Sequence, residues 1–111
     1  MISRANAEHY TWGTQCDGWR LVNDEKQSII HERMPPGTSE VRHFHHKARQ
    51  FFFILSGIMH MEIEGVEHIL QQHEGIEIAP LQLHQVFNKS SFDLEFLVIS
   101  LPNANNDRVV L

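Results

Sequence analysis

The sequence predicts an all-β single domain built as an antiparallel jelly roll or small barrel. Helical periodicity is almost absent, and short runs of alternating apolar and polar residues recur between turn signals, at intervals of about 8–12 residues. The chain has 111 residues, which is the length of one domain. We therefore expect about eight or nine short strands, without the spacing that a parallel βαβ unit needs.

The N-terminal segment is expected to be irregular. Residues 1–20 combine bulky aromatic side chains with Gly13 and Gly18, which usually interrupt regular structure. The first expected strand is the alternating run 27–34, which ends at the sequence Pro35-Pro36-Gly37. The barrel core is expected to span about residues 27–101 of a single domain that covers residues 1–111.

The remaining strands follow the same alternation. Residues 41–45 form a short run, and residues 50–55 are rich in aromatic and β-branched side chains, which favour strands. In residues 59–70, apolar and polar side chains alternate on both sides of the dipeptide Glu64-Gly65, which predicts a hairpin. The last expected strands are residues 75–78, 85–87 and 94–101.

The composition excludes several classes of function. Nine Lys and Arg against 14 Asp and Glu give a net charge of −5 without a basic run, so nucleic acids and anionic membranes are not expected partners. The longest apolar run, Phe51–Leu55, is too short to span a membrane, and the polar sequence after Met1 does not resemble a signal peptide. The single cysteine, Cys16, cannot form an internal disulfide, so a cytoplasmic location is expected.

Nine histidines are scattered through the chain, and histidine is the commonest metal ligand in proteins. His43 and His45 are separated by one residue, so their imidazoles project from the same face of a strand. This spacing allows two imidazoles to bind one ion. His84 stands at the start of a later strand. The histidines therefore indicate a metal site or an acid–base site.

At these histidines the sequence resembles the cupin superfamily. The first cupin motif is usually written G(X)5HXH(X)3–4E(X)6G. The chain matches every interval of this motif, with glutamine in place of the glutamate, at Gly37, His43, His45, Gln50 and Gly57.

The second cupin motif, usually written G(X)5PXG(X)2H(X)3N, is matched in part. His84 and Asn88 occupy its histidine and asparagine positions, whereas His73, Ala79 and Leu81 replace its two glycines and its proline. The resemblance covers about residues 27–101 and implies a conical barrel of about six to eight strands around one divalent metal ion.

The resemblance implies that His43, His45, Gln50 and His84 bind the metal. A glutamate ligand would neutralise one unit of charge, whereas the Gln50 amide leaves the full double charge on the ion. We therefore expect a small anionic ligand, such as a carboxylate or a sugar-derived acid, that the ion polarises as a Lewis acid. Imidazole and amide ligands suit Fe, Mn, Ni, Zn or Cu. Protons compete for histidines with an ordinary pKa of about 6.5, so metal affinity is expected to fall below about pH 6.

Several functions are compatible with this resemblance. The three histidines resemble the ligand set of non-haem iron dioxygenases, and Lewis-acid chemistry also suits an isomerase or lyase. The alternatives are a non-catalytic cupin that senses or stores a small ligand or a metal, and a structural dimer with a vestigial site. The pocket lining is expected to include Phe52, Met59, Met61 and Phe96. No acid, tyrosine or lysine is placed in the pocket by the sequence, so no catalytic base is identified.

The ligand spacing is also similar to that of the small cupins that convert unsaturated monouronates to linear keto-uronates. Those cupins carry an aspartate on the last barrel strand, beside the pocket. In residues 94–101 the only acid is Glu95, whose side chain should point to the opposite face from Phe96 and Val98. The uronate chemistry is therefore not expected to transfer.

The strand that begins at Gln50 is apolar on both faces. Three apolar side chains should point away from Gln50: Phe51, Phe53 and Leu55. Either the N-terminal segment with Trp12 and Trp19 covers them, or a second copy of the chain does. We expect a homodimer, because two-fold symmetric dimers are the commonest oligomers.

Overall fold

The computed structural model describes all 111 residues and consists of eleven strands joined by turns and loops. In chain order the strands are β1 (Glu8–Trp12), β2 (Cys16–Asn23), β3 (Ser28–Met34), β4 (His43–His45), β5 (Arg49–Ser56), β6 (Met59–Ile63), β7 (Val66–Leu70), β8 (Gly75–Ile78), β9 (His84–Phe87), β10 (Leu94–Leu101) and β11 (Arg108–Val110). The structure contains no helix that is long and apolar enough to span a membrane. The expected all-β fold is confirmed.

Two antiparallel sheets form the jelly roll. The six-stranded sheet has the order β1-β2-β3-β10-β5-β8, and the five-stranded sheet has the order β11-β4-β9-β6-β7. Buried residues alternate with less buried ones along β6 and β10, as the binary pattern predicts. A cluster of 13 buried residues contains side chains from both sheets, so the sheets pack face to face around one core.

The N-terminal segment is a hairpin rather than irregular chain, which corrects the expectation from the sequence. β1 pairs with β2, and β2 continues the sheet by pairing with β3. Gly18, which we interpreted as a breaker, lies within β2 opposite Tyr10, and a Cβ atom there would collide with the Tyr10 ring. The absence of a side chain at Gly18 therefore makes room for the Tyr10 ring. The Arg20 guanidinium also stacks on this ring, with its Cζ 4.4 Å from the ring centroid.

The two glycines of the first cupin motif have structural roles. Gly37 and Gly57 have φ angles of 76° and 88°, in the left-handed region that favours glycine. A Cβ atom at Gly57 would also lie 2.5 Å from the carbonyl oxygen of Asp93. Both glycines turn the chain next to strands that carry the histidines or Gln50, and this explains their positions in the motif.

The strand register arranges the inner-facing side chains of the six-stranded sheet in rows. β10 lies between β3 and β5, and Ser100 is opposite both Ser28 and Gln50. Four residues back along β10, Phe96 is opposite Glu32 of β3. Side chains at alternate positions of a strand share a face, so Gln50 and Glu32 both project towards the interior of the barrel.

The outer face of the same sheet is apolar where β3, β10 and β5 meet. Ile29, Ile99 and Phe51 form one row across these strands. The rings of Phe51 and Phe53 stack with their centroids 6.4 Å apart, and Phe51 remains 39% exposed. β1 and β2 lie on the far side of β3 from β5, so the N-terminal segment does not cover these side chains. His73 stacks on Phe53 with ring centroids 6.1 Å apart, so part of this face is covered within the chain and part of it remains exposed.

We expect the protein to form a homodimer that buries this outer face. Phe51→Glu would place a charge in an apolar interface, so the variant should be monomeric at micromolar concentration by light scattering. The control is Ile69→Glu, which changes an apolar residue of β7 that is 60% exposed on the other sheet and should leave the mass unchanged. A monomeric wild-type protein at that concentration would contradict this expectation.

Candidate metal centre

The strand pairing brings three histidines together inside the barrel. β4 carries His43 and His45 on one face, and its pairing with β9 places His84 directly opposite His43. The ring centroids of His43 and His84 are 4.4 Å apart, and that of His45 lies 5.0 and 6.0 Å from them. One nitrogen from each ring lies within 4.8 Å of the others. All three side chains are buried.

Backbone carbonyls fix the proton positions of two of these rings. The Nδ1–H of His43 donates to the carbonyl oxygen of Val41 at 2.8 Å, and the Nδ1–H of His84 donates to that of Gln82 at 2.9 Å. Each ring therefore keeps an unprotonated Nε2, which is the form that binds a metal. The Nε2 of His84 is buried and has no hydrogen-bond partner.

Gln50 also presents an unsatisfied atom. Its Nε2 donates to the Ser100 hydroxyl at 3.0 Å, which orients the amide and leaves Oε1 buried without a partner. The Nδ1 of His45 is also buried without a partner. Together with the Nε2 of His84 and the Oε1 of Gln50, it makes three such atoms. Each orphaned buried polar atom costs about 1–3 kcal/mol, so each of the three calls for a partner that the protein itself does not supply.

The geometry of these atoms fits a metal ion. Two ligands at about 2.1 Å from one ion are at most about 4.2 Å apart, so a separation within 4.8 Å needs only a small contraction. The three histidines could therefore hold a metal ion, and bringing them to it would satisfy the orphaned ring nitrogens. The Gln50 carbonyl is an oxygen ligand of the kind that transition metals accept.

Asp107 holds the loop that separates the two motif strands. Its carboxylate accepts hydrogen bonds from the backbone N–H groups of His46, Lys47 and Ala48, at 3.1, 2.8 and 2.8 Å. Burial acts to raise the pKa of Asp107, but these hydrogen bonds outweigh it and keep the pKa below its usual range. The loop joins His45 to the start of β5. Asp107 therefore helps to position His45 on one side of the loop and Gln50 on the other.

Asn88, the last residue of the second motif, is buried and has a structural role. Its Nδ2 donates to the carbonyl oxygens of Met34 and Phe92, at 2.9 and 2.8 Å. Its backbone exchanges hydrogen bonds with Gly37 and Thr38. Asn88 therefore ties the end of β9 to the turn before β4, so the two motifs are held in register.

A cavity of about 200 Å³ opens beside the histidines. Its wall includes His43, His45 and Gln50, together with the expected lining residues Phe52 and Phe96. A larger open depression of about 650 Å³ lies among polar loops and contains none of the three clustered histidines, so the inner cavity is the relevant one.

The other two expected lining residues, Met59 and Met61, do not reach this cavity. Both are fully buried in the hydrophobic core. They lie on β6, between β7 and β9 in the five-stranded sheet, whereas most of the cavity wall comes from the six-stranded sheet and β4. Alternation correctly predicted that they face inwards, but it cannot tell which inward residues face empty space.

The cavity also contains polar side chains that the sequence reasoning missed: Tyr10, Glu32, Glu40 and Arg108. The sequence could have indicated Glu32, because it shares the inner face of β3 with the apolar residues Ile30 and Met34. The others come from a hairpin taken as irregular, a loop and the C-terminal edge strand, where no alternation marks their direction. The sequence alone placed no acid or tyrosine in the pocket, and the structure places Glu32, Glu40 and Tyr10 there.

The remaining histidines lie outside this site. His9, His31 and His60 pair with carboxylates on the surface or at its edge, at 2.7 to 2.8 Å. His46, His68 and His73 are exposed. Glu95 points outwards, as expected, and binds His31 and Arg4.

Burial strongly changes the pKa values of the clustered histidines. Loss of hydration lowers the pKa of His43 to about 3 and that of His45 to about 4, and it also lowers the pKa of His84. Neighbouring rings and Arg108 act in the same direction on His43. With these pKa values, protons compete with a metal ion for the rings only well below pH 6. Histidines with an ordinary pKa would lose the ion from about pH 6 downwards.

A two-sheet jelly roll with three buried histidines at one end of an inner cavity defines a class of small β-barrel protein whose interior could hold a metal ion. Within that class, the chain belongs to the cupin domain family Cupin_2, which it matches over residues 30–100. The resemblance to cupins is thereby confirmed. A comparison with curated proteins gives no significant match.

Solved structures share the fold at low sequence identity. KdgF from Halomonas sp. is 11% identical with a TM-score of 0.86, and the alignment covers 96% of each chain. A predicted oxalate decarboxylase from Thermotoga maritima is 17% identical with a TM-score of 0.83, over 93% of this chain and 100% of that one. A sugar phosphate isomerase of the cupin superfamily from Silicibacter pomeroyi is 18% identical with a TM-score of 0.78, over 93% and 76%. At these identities the likeness establishes the fold.

We expect the metal-free protein to lose stability through its histidines as the pH falls from about 6.5 to about 4. The unfolded chain, with an ordinary histidine pKa of about 6.5, binds protons that the folded chain excludes. Each buried histidine should therefore lower the free energy of unfolding by about 1.4 kcal/mol per pH unit. Urea unfolding between about pH 7 and pH 5 measures this slope.

The raised pKa values of Glu32 and Glu40 act in the opposite direction over the same range, so a variant comparison is needed to isolate the histidines. His84→Gln removes one contribution and should reduce the slope by about one such increment. His68→Gln changes an exposed histidine and should leave the slope as in the wild type. Equal slopes in all three proteins would mean that burial does not hold His84 neutral.

Proposed function

We propose that the protein is a metal-dependent cupin that binds and converts a small anionic metabolite. In this proposal His43, His45, Gln50 and His84 hold one divalent transition-metal ion. The observation that carries the proposal is the group of buried atoms without partners on His45, Gln50 and His84. When bound, the ion would polarise a carbonyl or carboxylate oxygen as a Lewis acid.

The preference for an anion is supported by the charges around the cavity. The Gln50 amide adds no negative charge to the ligand set, and Arg108 lines the cavity with its Nη2 3.4 Å from both the Val41 carbonyl oxygen and His43 Nδ1. Burial raises the pKa of Glu32 to about 8 and that of Glu40 to about 7. At neutral pH these carboxyls therefore cancel only part of the positive charge of an ion and Arg108.

The size of the cavity restricts the ligand. At about 30 Å³ for each water molecule in the liquid, 200 Å³ holds about six or seven waters. This volume suits a small organic acid and excludes a polymer. Phe52 and Phe96, whose ring centroids are 5.8 Å apart, supply an apolar wall against which a carbon skeleton can pack.

The sharpest test is Gln50→Glu. A carboxylate in the same place adds a negative charge to the ligand set, so the variant should bind Zn²⁺ or Mn²⁺ about tenfold more tightly or better. It should also bind oxalate, a small dianionic probe, about tenfold more weakly, because the net positive charge of the loaded site falls by one unit. Elemental analysis and calorimetry measure the two effects.

Two controls accompany this test. His45→Ala should abolish metal binding and oxalate binding, since it removes one imidazole from the set. Phe44→Leu should leave both intact, because Phe44 alternates with the two histidines of β4 and points away from them. Weaker metal binding by Gln50→Glu, or unchanged oxalate affinity, would show that Gln50 does not bind the ion.

A further inference from the structure

Glu32 is a carboxyl group inside the barrel with no partner. It lies on the inner face of β3, between Gly18 of β2 and Phe96 of β10. It lines the same cavity as His43, His45 and Gln50. Its side chain forms neither a hydrogen bond nor an ion pair, although four charged or hydroxyl-bearing residues surround it. The residue is half-buried, and an unpaired carboxyl that opens onto a cavity is a candidate functional group.

Glu40, the other acid of the cavity, is held by the backbone. Its Oε1 accepts a hydrogen bond from the N–H of Val86 at 3.1 Å, and its own carbonyl accepts one from the Gln85 side chain at 2.8 Å. Glu40 is therefore fixed in place, whereas the Glu32 carboxyl remains available to a ligand. The two acids differ in this respect although they share one cavity.

The surroundings favour a proton on Glu32 near neutral pH. Loss of hydration is the main cause of its raised pKa, and the negative charge of Glu40 adds to it, while Arg108 and Arg20 oppose it. Tyr10 also faces Glu32, and burial together with the Glu32 charge raises the pKa of its hydroxyl. A carboxyl that titrates near the working pH is suited to both accepting and donating a proton.

We propose that Glu32 is the group that transfers a proton to and from the bound ligand, and that the ligand is a small acid with a carbonyl group beside a carbon that carries an exchangeable hydrogen. This inference rests on the proposed function, which it refines from a metal-dependent conversion to an enolisation, the proton-transfer step that isomerases and lyases use. A reaction of this kind uses no oxygen, so the inference favours the isomerase or lyase class over the dioxygenase class.

The proposed step is a proton transfer that needs no co-reactant. The ionised Glu32 takes the proton from the carbon next to the carbonyl, and the electron pair of that C–H bond forms a C=C bond. The carbonyl π pair moves onto its oxygen, which gives an enolate. The C=C pair then forms a new C–H bond with the proton of Glu32, the O–H pair stays on the Glu32 carboxylate, and the pair on oxygen restores the C=O bond. Atoms and charge are conserved, and neither oxygen nor a reductant is used.

The position of Glu32 suits this role. It lies four residues along β3 from Ser28, whose row contains Gln50. Phe96 lies in the row of Glu32, and Phe52 lies in the row between the two. A ligand held at the histidines by its oxygen atoms would therefore present its carbon skeleton to the carboxyl. Arg108, whose Nη2 lies 3.4 Å from His43 Nδ1, lines the same cavity, and its positive charge acts on both acids.

The first measurement concerns Glu32 itself. In metal-free protein labelled with ¹³C at the glutamate carboxyls, two resonances should titrate above the normal range, that of Glu40 near pH 7 and that of Glu32 near pH 8. The one near pH 8 should be missing in Glu32→Gln. The groups that face this carboxyl, Glu40, Tyr10, Arg20 and Arg108, are unchanged in that variant. A Glu32 resonance that titrates in the ordinary range near pH 4 would overturn the proposal.

The second measurement follows hydrogen exchange in the metal-loaded protein. Pyruvate and 2-oxobutyrate in D₂O serve as probes, and proton NMR records the loss of the hydrogens next to the keto group. Glu32→Gln can still donate a hydrogen bond but cannot carry the proton, so its exchange kcat should fall by about 10²- to 10⁴-fold. Its affinity for oxalate should stay within about threefold, which is the kcat-against-binding split that loss of folding would not produce.

A control variant shows whether loss of exchange is specific to Glu32. Glu67→Gln changes an exposed acid on β7 and should exchange like the wild type. Wild-type protein that holds metal and binds oxalate but exchanges neither probe, or Glu32→Gln that exchanges as fast as wild type, would overturn the role of Glu32 alone. Protein that holds no metal and binds no oxalate would instead overturn the proposed function, and the two failures are distinguished by elemental analysis. Oxygen consumption with either probe would favour the dioxygenase class.

Discussion

The packing of three imidazoles against one another inside the barrel is the constraint on which the rest of the site depends. His43, His45 and His84 are within ring-contact distance, so a proton on any one of them would be repelled by protons on the others and would lose its hydration. Backbone carbonyls at Val41 and Gln82 add to this by holding the proton on Nδ1. The fold thereby maintains neutral rings with free lone pairs, at the cost of buried atoms without partners.

Residues outside the proposed metal-ligand set maintain this arrangement. Asp107 gathers three backbone N–H groups of the loop after β4, and Asn88 ties β9 to the turn before β4. Gly37 and Gly57 supply the backbone angles that let the chain turn between these strands. The cupin motifs therefore combine two kinds of residue, those that could hold an ion and those that bring their strands into register, and the second kind explains why the spacing is so strict.

Local patterns predicted the parts of the molecule in which alternation is regular. The strands β6 and β10 and the inward direction of His43, His45 and Gln50 follow from a period of two. Four of the five residues of β7 are exposed, and this strand was predicted from the turn before it. The hairpin of β1 and β2 was missed because Gly18 makes room for a side chain on a neighbouring strand, which is a contact the local sequence does not record. Arg108 was missed for a similar reason, since β11 joins the barrel by pairing with β4 far back in the chain.

The placement of negative charge distinguishes this cavity from the usual cupin pattern. The first motif normally puts a glutamate among the ligands, and here Gln50 has no charge. Two carboxyls lie elsewhere in the same cavity, on Glu32 and Glu40, and burial keeps their pKa values near neutrality. A carboxylate bound to an ion cannot exchange protons freely, whereas a carboxyl away from the ion can. In the proposed site, a ligand set without an acid would leave a strongly positive centre at the ion, and Glu32, which is not in the ligand set, would carry the proton. This is the separation of roles that enolisation requires.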